Sequence, residues 1–138
     1  MCRFGLSSKL CDRLRRRSLS LGERGERAAA RFLRRAGYKI VARHYRSRVG
    51  ELDLIATDGR MLIFVEVKTR RSAEYDHPAE AVDRRKQRRM TRTAEVYVKR
   101  HRLSGIAARF DIVAVTWPDS ARRPTIEHFP GAFEAVER

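Results

Sequence analysis

Apolar positions recur along the chain with two different spacings, which separates helices from strands. Between Gly22 and Gly37 the spacing is helical, with Glu23 and Glu26 in the opening turns, where acids suit the positive end of a helix. The apolar positions there are Ala29, Phe32, Leu33 and Ala36. Gly37 stands where a glycine often ends a helix, so we predict a first helix over 22–37.

Five other segments alternate apolar and polar residues, which indicates β-strands. They cover residues 38–45, 50–56, 60–69, 109–117 and 125–129. Asp58 and Gly59 separate the second and third segments, and Asp-Gly between apolar runs favours a two-residue hairpin turn. Such a turn would place Glu51 opposite Glu66 and Asp53 opposite Phe64.

A second helix is predicted between the third and fourth strands. Asp76 and Pro78 are typical of a helix start, and Ser104-Gly105 ends the segment. Its apolar stripe contains Ala79, Val82, Met90, Ala94 and Tyr97. The order α-β-β-β-α-β-β predicts an α/β fold in which helices flank one mixed β-sheet, with the third and fourth strands parallel.

Composition limits the class of protein. The 138 residues are a common size for one domain, and 32 Lys and Arg against 17 Asp and Glu give a net charge of +15. A chain this positive favours nucleic acid as a partner, with anionic lipid as the weaker alternative. No apolar run approaches the ~20 residues of a membrane-spanning helix, so we expect no membrane association.

The chain is divided by charge into a basic arm at residues 1–21 and a single domain at residues 22–138. We expect the arm to be disordered; a transit peptide is the alternative, since the arm lacks the apolar core of a secretory signal. Cys2 and Cys11 match no zinc-ligand spacing. The expected location is the cytoplasm.

The predicted hairpin carries a cluster of acids. Alternation places Glu51 and Asp53 on one face, and Glu66 shares that face with Lys68. Carboxylates this close repel one another, by about 4 kcal/mol at ~4 Å and an effective dielectric constant near 20. Mg²⁺ or Mn²⁺ would relieve the repulsion, and Glu26, at the margin of the first helix's apolar stripe, is a further candidate ligand. The alternative is a set of surface ion pairs.

Basic residues follow these acids. A phosphate-binding face of the second helix is predicted at Arg84, Arg85, Lys86, Arg88 and Arg92. Arg70 and Arg71, just past Lys68, are further candidates. A solvated helix is the alternative; Lys86, on the apolar side, either reaches the acids or extends to water.

Other polar residues are given structural roles. Asp111 beside Arg109 indicates an ion pair, and the four scattered histidines show no ligand spacing. No glycine-rich phosphate loop is present, so nucleotide-dependent chemistry is not expected.

Four motifs together resemble the YraN-type family of small bacterial proteins. They are Gly22-Glu-Arg-Gly-Glu26 with Ala29, Gly50-Glu-Leu-Asp-Leu-Ile-Ala56, Phe64-Val-Glu-Val-Lys-Thr-Arg70, and Ala81-Val82 with Lys86-Gln87 and Arg109-Phe-Asp111. The resemblance covers residues 22–133 and implies a PD-(D/E)xK, restriction-endonuclease-like fold, similar to archaeal Holliday-junction resolvases. The family usually has Asn where His44 stands and Gly near His77.

The resemblance implies roles for four residues. Asp53 and Glu66 would hold Mg²⁺ or Mn²⁺, with Glu26 completing the site; Glu51 is a further candidate only from its place on the hairpin face. Lys68 would assist the water or the phosphate. The expected activity is a metal-dependent DNA endonuclease, with branched DNA as a plausible substrate and a homodimer by analogy. The alternatives are a catalytically silent nucleic-acid-binding module and an adaptor in DNA repair or recombination.

Overall fold

The computed structural model describes residues 9–10, 19–72 and 82–137. Its helices and strands from residue 19 onward are α1 (Leu21–Arg35), β1 (Lys39–Arg46), β2 (Glu51–Thr57), β3 (Leu62–Arg70), α2 (Arg84–Arg100), β4 (Ala108–Thr116) and β5 (Thr125–Phe133). The predicted order α-β-β-β-α-β-β is confirmed, as is the α/β class. None of the described helices is long and apolar enough to span a membrane.

The five strands lie side by side in chain order, and α2 forms the crossover that makes β3 and β4 parallel. The other three pairs are antiparallel. Alternate residues of β2 and β3 enter two different cores. Leu54 and Val65 pack with Leu33 of α1, whereas Ile55 and Phe64 pack with the α2 side. The two helices therefore cover opposite faces of the sheet.

Helix α1 starts at a capping box that the sequence analysis did not use. The Ser20 hydroxyl accepts a hydrogen bond from the Glu23 amide, and the Glu23 carboxylate accepts one from the Ser20 amide. The predicted end is confirmed. Gly37 has φ +98°, and the Tyr38 amide donates back to the Leu33 carbonyl at 3.0 Å.

Close approach of α1 to β3 depends on Gly25. A β-carbon at this position would overlap the side chain of Thr69, so only glycine allows the helix to lie this near the strand. Gly25 precedes Glu26, and Thr69 follows Lys68. The contact therefore holds two of the predicted site residues near each other.

Helix α2 differs from its prediction at both ends. It begins at Arg84, with Asp83 as N-cap, so Val82 is buried just before the helix rather than within it. Asp76, Pro78 and Ala79 lie outside the described residues. The helix ends at Arg100, before the predicted Ser104-Gly105, because Arg102 adopts a left-handed conformation (φ +55°). The Leu103 amide then donates to the Val98 carbonyl, which closes the helix.

The two-residue hairpin turn is wrong. Thr57 pairs with Leu62, so four residues form the loop, and Phe64 lies opposite Ile55 rather than Asp53. The loop is stabilised by its own side chains: the Asp58 carboxylate accepts hydrogen bonds from the amides of Arg60 and Met61. The register shift is two residues, which leaves every side chain of β3 on its predicted face.

The last strand is longer than predicted. It continues through Pro130 to Phe133. Proline is tolerated there because β5 is an edge strand, which needs hydrogen bonds on one side only.

Candidate functional site

Asp53 and Glu66 come together where β2 and β3 begin to separate. They lie one residue beyond Leu54 and Val65, the last pair of the β2–β3 ladder. The Val67 amide donates a hydrogen bond of 2.8 Å to Asp53 Oδ2, so the Asp53 side chain reaches across to β3. The register correction thus brings Asp53, rather than Glu51, to Glu66.

Strand β2 twists at Asp53. Leu52 packs on the α2 side of the sheet and Leu54 on the α1 side, although regular alternation would put both on one face. His44, at the matching position of β1, has φ +47°. The twist separates Glu51 from the acid pair. Its side chain is 68% exposed and lies 3.6 Å from Arg46 Nε, so the predicted contact of Glu51 with Glu66 is wrong.

The acid pair is electrostatically strained in the metal-free chain. Burial and the neighbouring charge of Glu66 raise the pKa of Asp53 to about 7, against the opposing effect of the Val67 hydrogen bond. The Glu66 side chain is only 6% exposed. One of the two carboxyl groups therefore holds a proton readily near neutral pH.

Two lysines share Glu66. Lys86 Nζ lies 2.9 Å from Glu66 Oε1, and Lys68 Nζ lies 3.6 Å from the same atom. Burial lowers the pKa of Lys86, but its hydrogen bond to Glu66 outweighs this and the pKa is raised. The predicted reach of Lys86 toward the acids is confirmed. In this state its ammonium group neutralises a carboxylate rather than contacting a phosphate.

Glu26 approaches the acids from α1. Burial raises the pKa of the Glu26 carboxyl group. The charge of His44 lowers this pKa, and the negative charge of Glu66 raises it by a smaller amount. Glu26 Oε2 is buried and 2.8 Å from His44 Nε2, but the two atoms are not aligned for a hydrogen bond, and no other described residue supplies one. Sequence reasoning missed His44 here, because its contact with Glu26 depends on how β1 lies beneath α1.

The residues fit a divalent cation held by two carboxylates. Oxygen ligands from Asp53 and Glu66 are the type that Mg²⁺ prefers, and Glu26 Oε2, which lacks a hydrogen bond but lies beside His44, is a third donor nearby. Within the described ranges, however, no three His, Cys, Asp or Glu side chains are already placed as a ligand set. Both lysines contact Glu66 Oε1, so among the described residues Glu66 Oε2 has no ammonium group against it.

The predicted basic residues surround this site unequally. Of the residues predicted to bind phosphate on α2, four have exposed side chains: Arg84, Arg85, Arg88 and Arg92. Arg71 is ion-paired with Asp119, and Arg70 is half-buried next to Lys68 and Thr69. The α2 row is therefore the more accessible cationic surface.

The Asp111–Arg109 ion pair is confirmed, at 2.9 Å. His128 joins it, with Nε2 2.7 Å from Asp111 Oδ2, which sequence reasoning did not foresee. Asp111 is fully buried on the α1 side of β4. Asp111, Arg109 and His128 therefore form a polar network in the interior of the protein.

Comparison with known proteins agrees with these motifs. The model of the uncharacterised protein family UPF0102 matches residues 25–115. The chain belongs to this family. UPF0102 protein RB9115 of Rhodopirellula baltica is 51% identical over 84% of this chain and 71% of its own length. The UPF0102 protein of Syntrophotalea carbinolica is 50% identical over 84% and 93%, respectively. The predicted YraN-type membership is confirmed.

For this UPF0102 chain we expect Asp53→Asn to stabilise the metal-free protein at pH 8 by about 1–4 kcal/mol. Between the ordinary pKa of 3.8 and the folded value of about 7, the folded state binds more protons than the unfolded state. Stability therefore falls as pH rises through this window and stays reduced above it. An asparagine side chain carries no charge, so the unfolding free energy of the variant does not fall in this way as the pH rises.

Urea denaturation in EDTA at pH 8 and pH 4 measures this effect. The advantage of Asp53→Asn should shrink at pH 4, and the exposed Asp119→Asn should show no comparable change with pH. An equal gain at both pH values would contradict the raised pKa.

Proposed function

We propose that this protein is a metal-dependent nuclease that hydrolyses phosphodiester bonds in DNA. The observation that supports this best is the contact of two carboxyl groups, Asp53 and Glu66, beside Lys68 in a chain of net charge +15. Such a pair is unfavourable unless a cation or a proton neutralises it. The UPF0102 relatives carry no stated activity, so the proposal rests on the site.

The chemistry follows from the groups present. A divalent cation bound by Asp53 and Glu66 would supply positive charge to a phosphate and lower the pKa of the attacking water. Lys68, beside Glu66, is placed to stabilise charge that develops on the phosphate oxygens. Water adds to phosphorus, and the ester oxygen on the opposite side leaves.

Substrate binding is assigned to the exposed row Arg84, Arg85, Arg88 and Arg92 on α2. Lys86 of the same helix contacts Glu66, whereas the four arginines lie about 100–160° around the helix from it, on the side away from the sheet. Each phosphate that these side chains neutralise would release counterions and make binding salt-dependent. The arginines would hold a nucleic-acid backbone along the outer side of α2, and Lys86 is the residue of this helix that contacts the acids.

The test is incubation of the purified chain with branched, flapped and linear DNA in Mg²⁺, Mn²⁺ or EDTA. We expect strand cleavage with either metal and none in EDTA, with branched DNA cut best. Calorimetry should show Mn²⁺ binding to the wild type and at least tenfold weaker binding to Asp53→Asn. Metal-independent products, or the absence of metal binding, would contradict the proposal.

A second candidate is a catalytically silent nucleic-acid-binding module. It is favoured by the ammonium groups of Lys68 and Lys86, which both lie within 4 Å of Glu66 Oε1 and neutralise its charge. It predicts salt-dependent DNA binding without cleavage. Removal of the Asp53 charge should then strengthen binding, since no cation is lost with it.

A further inference from the structure

Three exposed arginines form a second cationic cluster, on the side of the sheet away from α2. They are Arg27 and Arg34 of α1 and Arg43 of β1. In the part of the chain that the structure describes, none of the three is ion-paired. Partial burial, followed by repulsion from Arg34 and Arg27, lowers the pKa of Arg43. Glu26 is the carboxylate that opposes this repulsion at Arg43, and Arg27 and Arg43 line the same cavity.

The cluster borders a cavity next to the acid pair. This cavity has a volume of about 260 Å³, lies between α1 and β1, and includes Arg27, Arg43, His44 and Glu26 in its wall. Glu23, a second carboxylate in the wall, is engaged by the Ser20 amide. Glu26 is also the residue whose charge reaches Asp53. Glu26 therefore connects the cavity wall to the acid pair electrostatically.

The cluster and the α2 row lie on opposite faces of the sheet. Arg43 is paired with Leu54, which packs in the core on the α1 side. Lys86 reaches Glu66 from α2, which covers the other face. The sheet that carries Asp53 and Glu66 therefore has exposed arginines on each of its two sides.

We infer that Arg27, Arg34 and Arg43 form a second phosphate-binding surface for the substrate nucleic acid. This inference rests on the proposed function. The cluster would bind the nucleic-acid backbone on one side of the bond to be cut, and α2 would bind the backbone on the other side. Arg27 and Arg34 are two turns apart, about 10 Å along the helix, and that length of duplex carries about six phosphate charges. The substrate must continue on both sides of the site, so the bond cut is internal.

Fluorescence anisotropy of a labelled DNA duplex, measured in EDTA over a series of salt concentrations, tests the inference without cleavage. The triple variant Arg27→Gln, Arg34→Gln, Arg43→Gln should bind more weakly and lower the magnitude of the log–log salt slope by about 2–3. The corresponding triple lysine variant should keep most of the slope, because it preserves the charge.

A matched control removes three other exposed arginines at the hairpin end of the sheet. Arg60→Gln, Arg100→Gln and Arg102→Gln change the net charge equally, and should alter the slope by less than 1. The inference is overturned if both triple variants lose the same amount of salt slope. It is also overturned if the Arg27, Arg34, Arg43 variant keeps its slope while circular dichroism shows that it is folded. If the wild type still binds and cleaves DNA in that case, the proposed function stands. A wild type that binds no DNA overturns both.

Discussion

Glu66→Gln is expected to reduce metal-dependent cleavage by about a thousandfold, which corresponds to about 4 kcal/mol of transition-state stabilisation. Glutamine has nearly the same shape but no charge, so the two-carboxylate site would lose half of its negative ligands. The Glu66 side chain is only 6% exposed, so solvent compensates little for the negative charge that the substitution removes. Single-turnover cleavage of the best DNA substrate measures the effect.

The matched control is Glu127→Gln, the same chemical change on the exposed surface of edge strand β5. It should cleave within about twofold of wild type. The loss in Glu66→Gln should also persist at saturating DNA, because Glu66 is assigned to the reaction rather than to binding. Cleavage by Glu66→Gln at the wild-type rate would show that another protein in the preparation is responsible.

Asp111→Ala is expected to cost about 3–5 kcal/mol of unfolding free energy, the largest stability effect of any substitution proposed for this chain. Asp111 is fully buried, and both its oxygens are engaged. They accept hydrogen bonds from Arg109 and the Gly131 amide, and Oδ2 also lies 2.7 Å from His128. The substitution would leave these groups without their acceptor, including the Arg109 guanidinium, whose side chain is 25% exposed.

Urea denaturation at pH 7 measures this cost, with Asp119→Ala as the comparison. Asp119 also has an arginine partner, Arg71, but its side chain is 79% exposed, so its loss should cost less than about 1 kcal/mol. A loss below 1 kcal/mol in Asp111→Ala would mean that the buried network contributes little. DNA binding by the α2 row should be unchanged in the variant at temperatures where it remains folded.

The hairpin shows how far local pattern can predict a site. Alternation in β3 predicted that Glu66 and Lys68 share a face, and Lys68 Nζ lies 3.6 Å from Glu66 Oε1 as that prediction requires. The prediction that Glu51 lies opposite Glu66 was wrong, because the length of the loop depends on side-chain hydrogen bonds that a turn motif does not specify. Asp58 and Thr57 hold a four-residue loop, and the register moved by two residues.

The period of the apolar residues determined which segments are helices and strands, and in what order, because those periods follow from backbone geometry that every chain shares. The excess of lysine and arginine over acids likewise determined the net charge of +15. Only the tertiary structure decided which charges meet. The twist at Asp53, the position of His44 beside Glu26 and the buried Asp111 network depend on contacts between distant segments. Those contacts arise when the two cores close on opposite faces of the sheet.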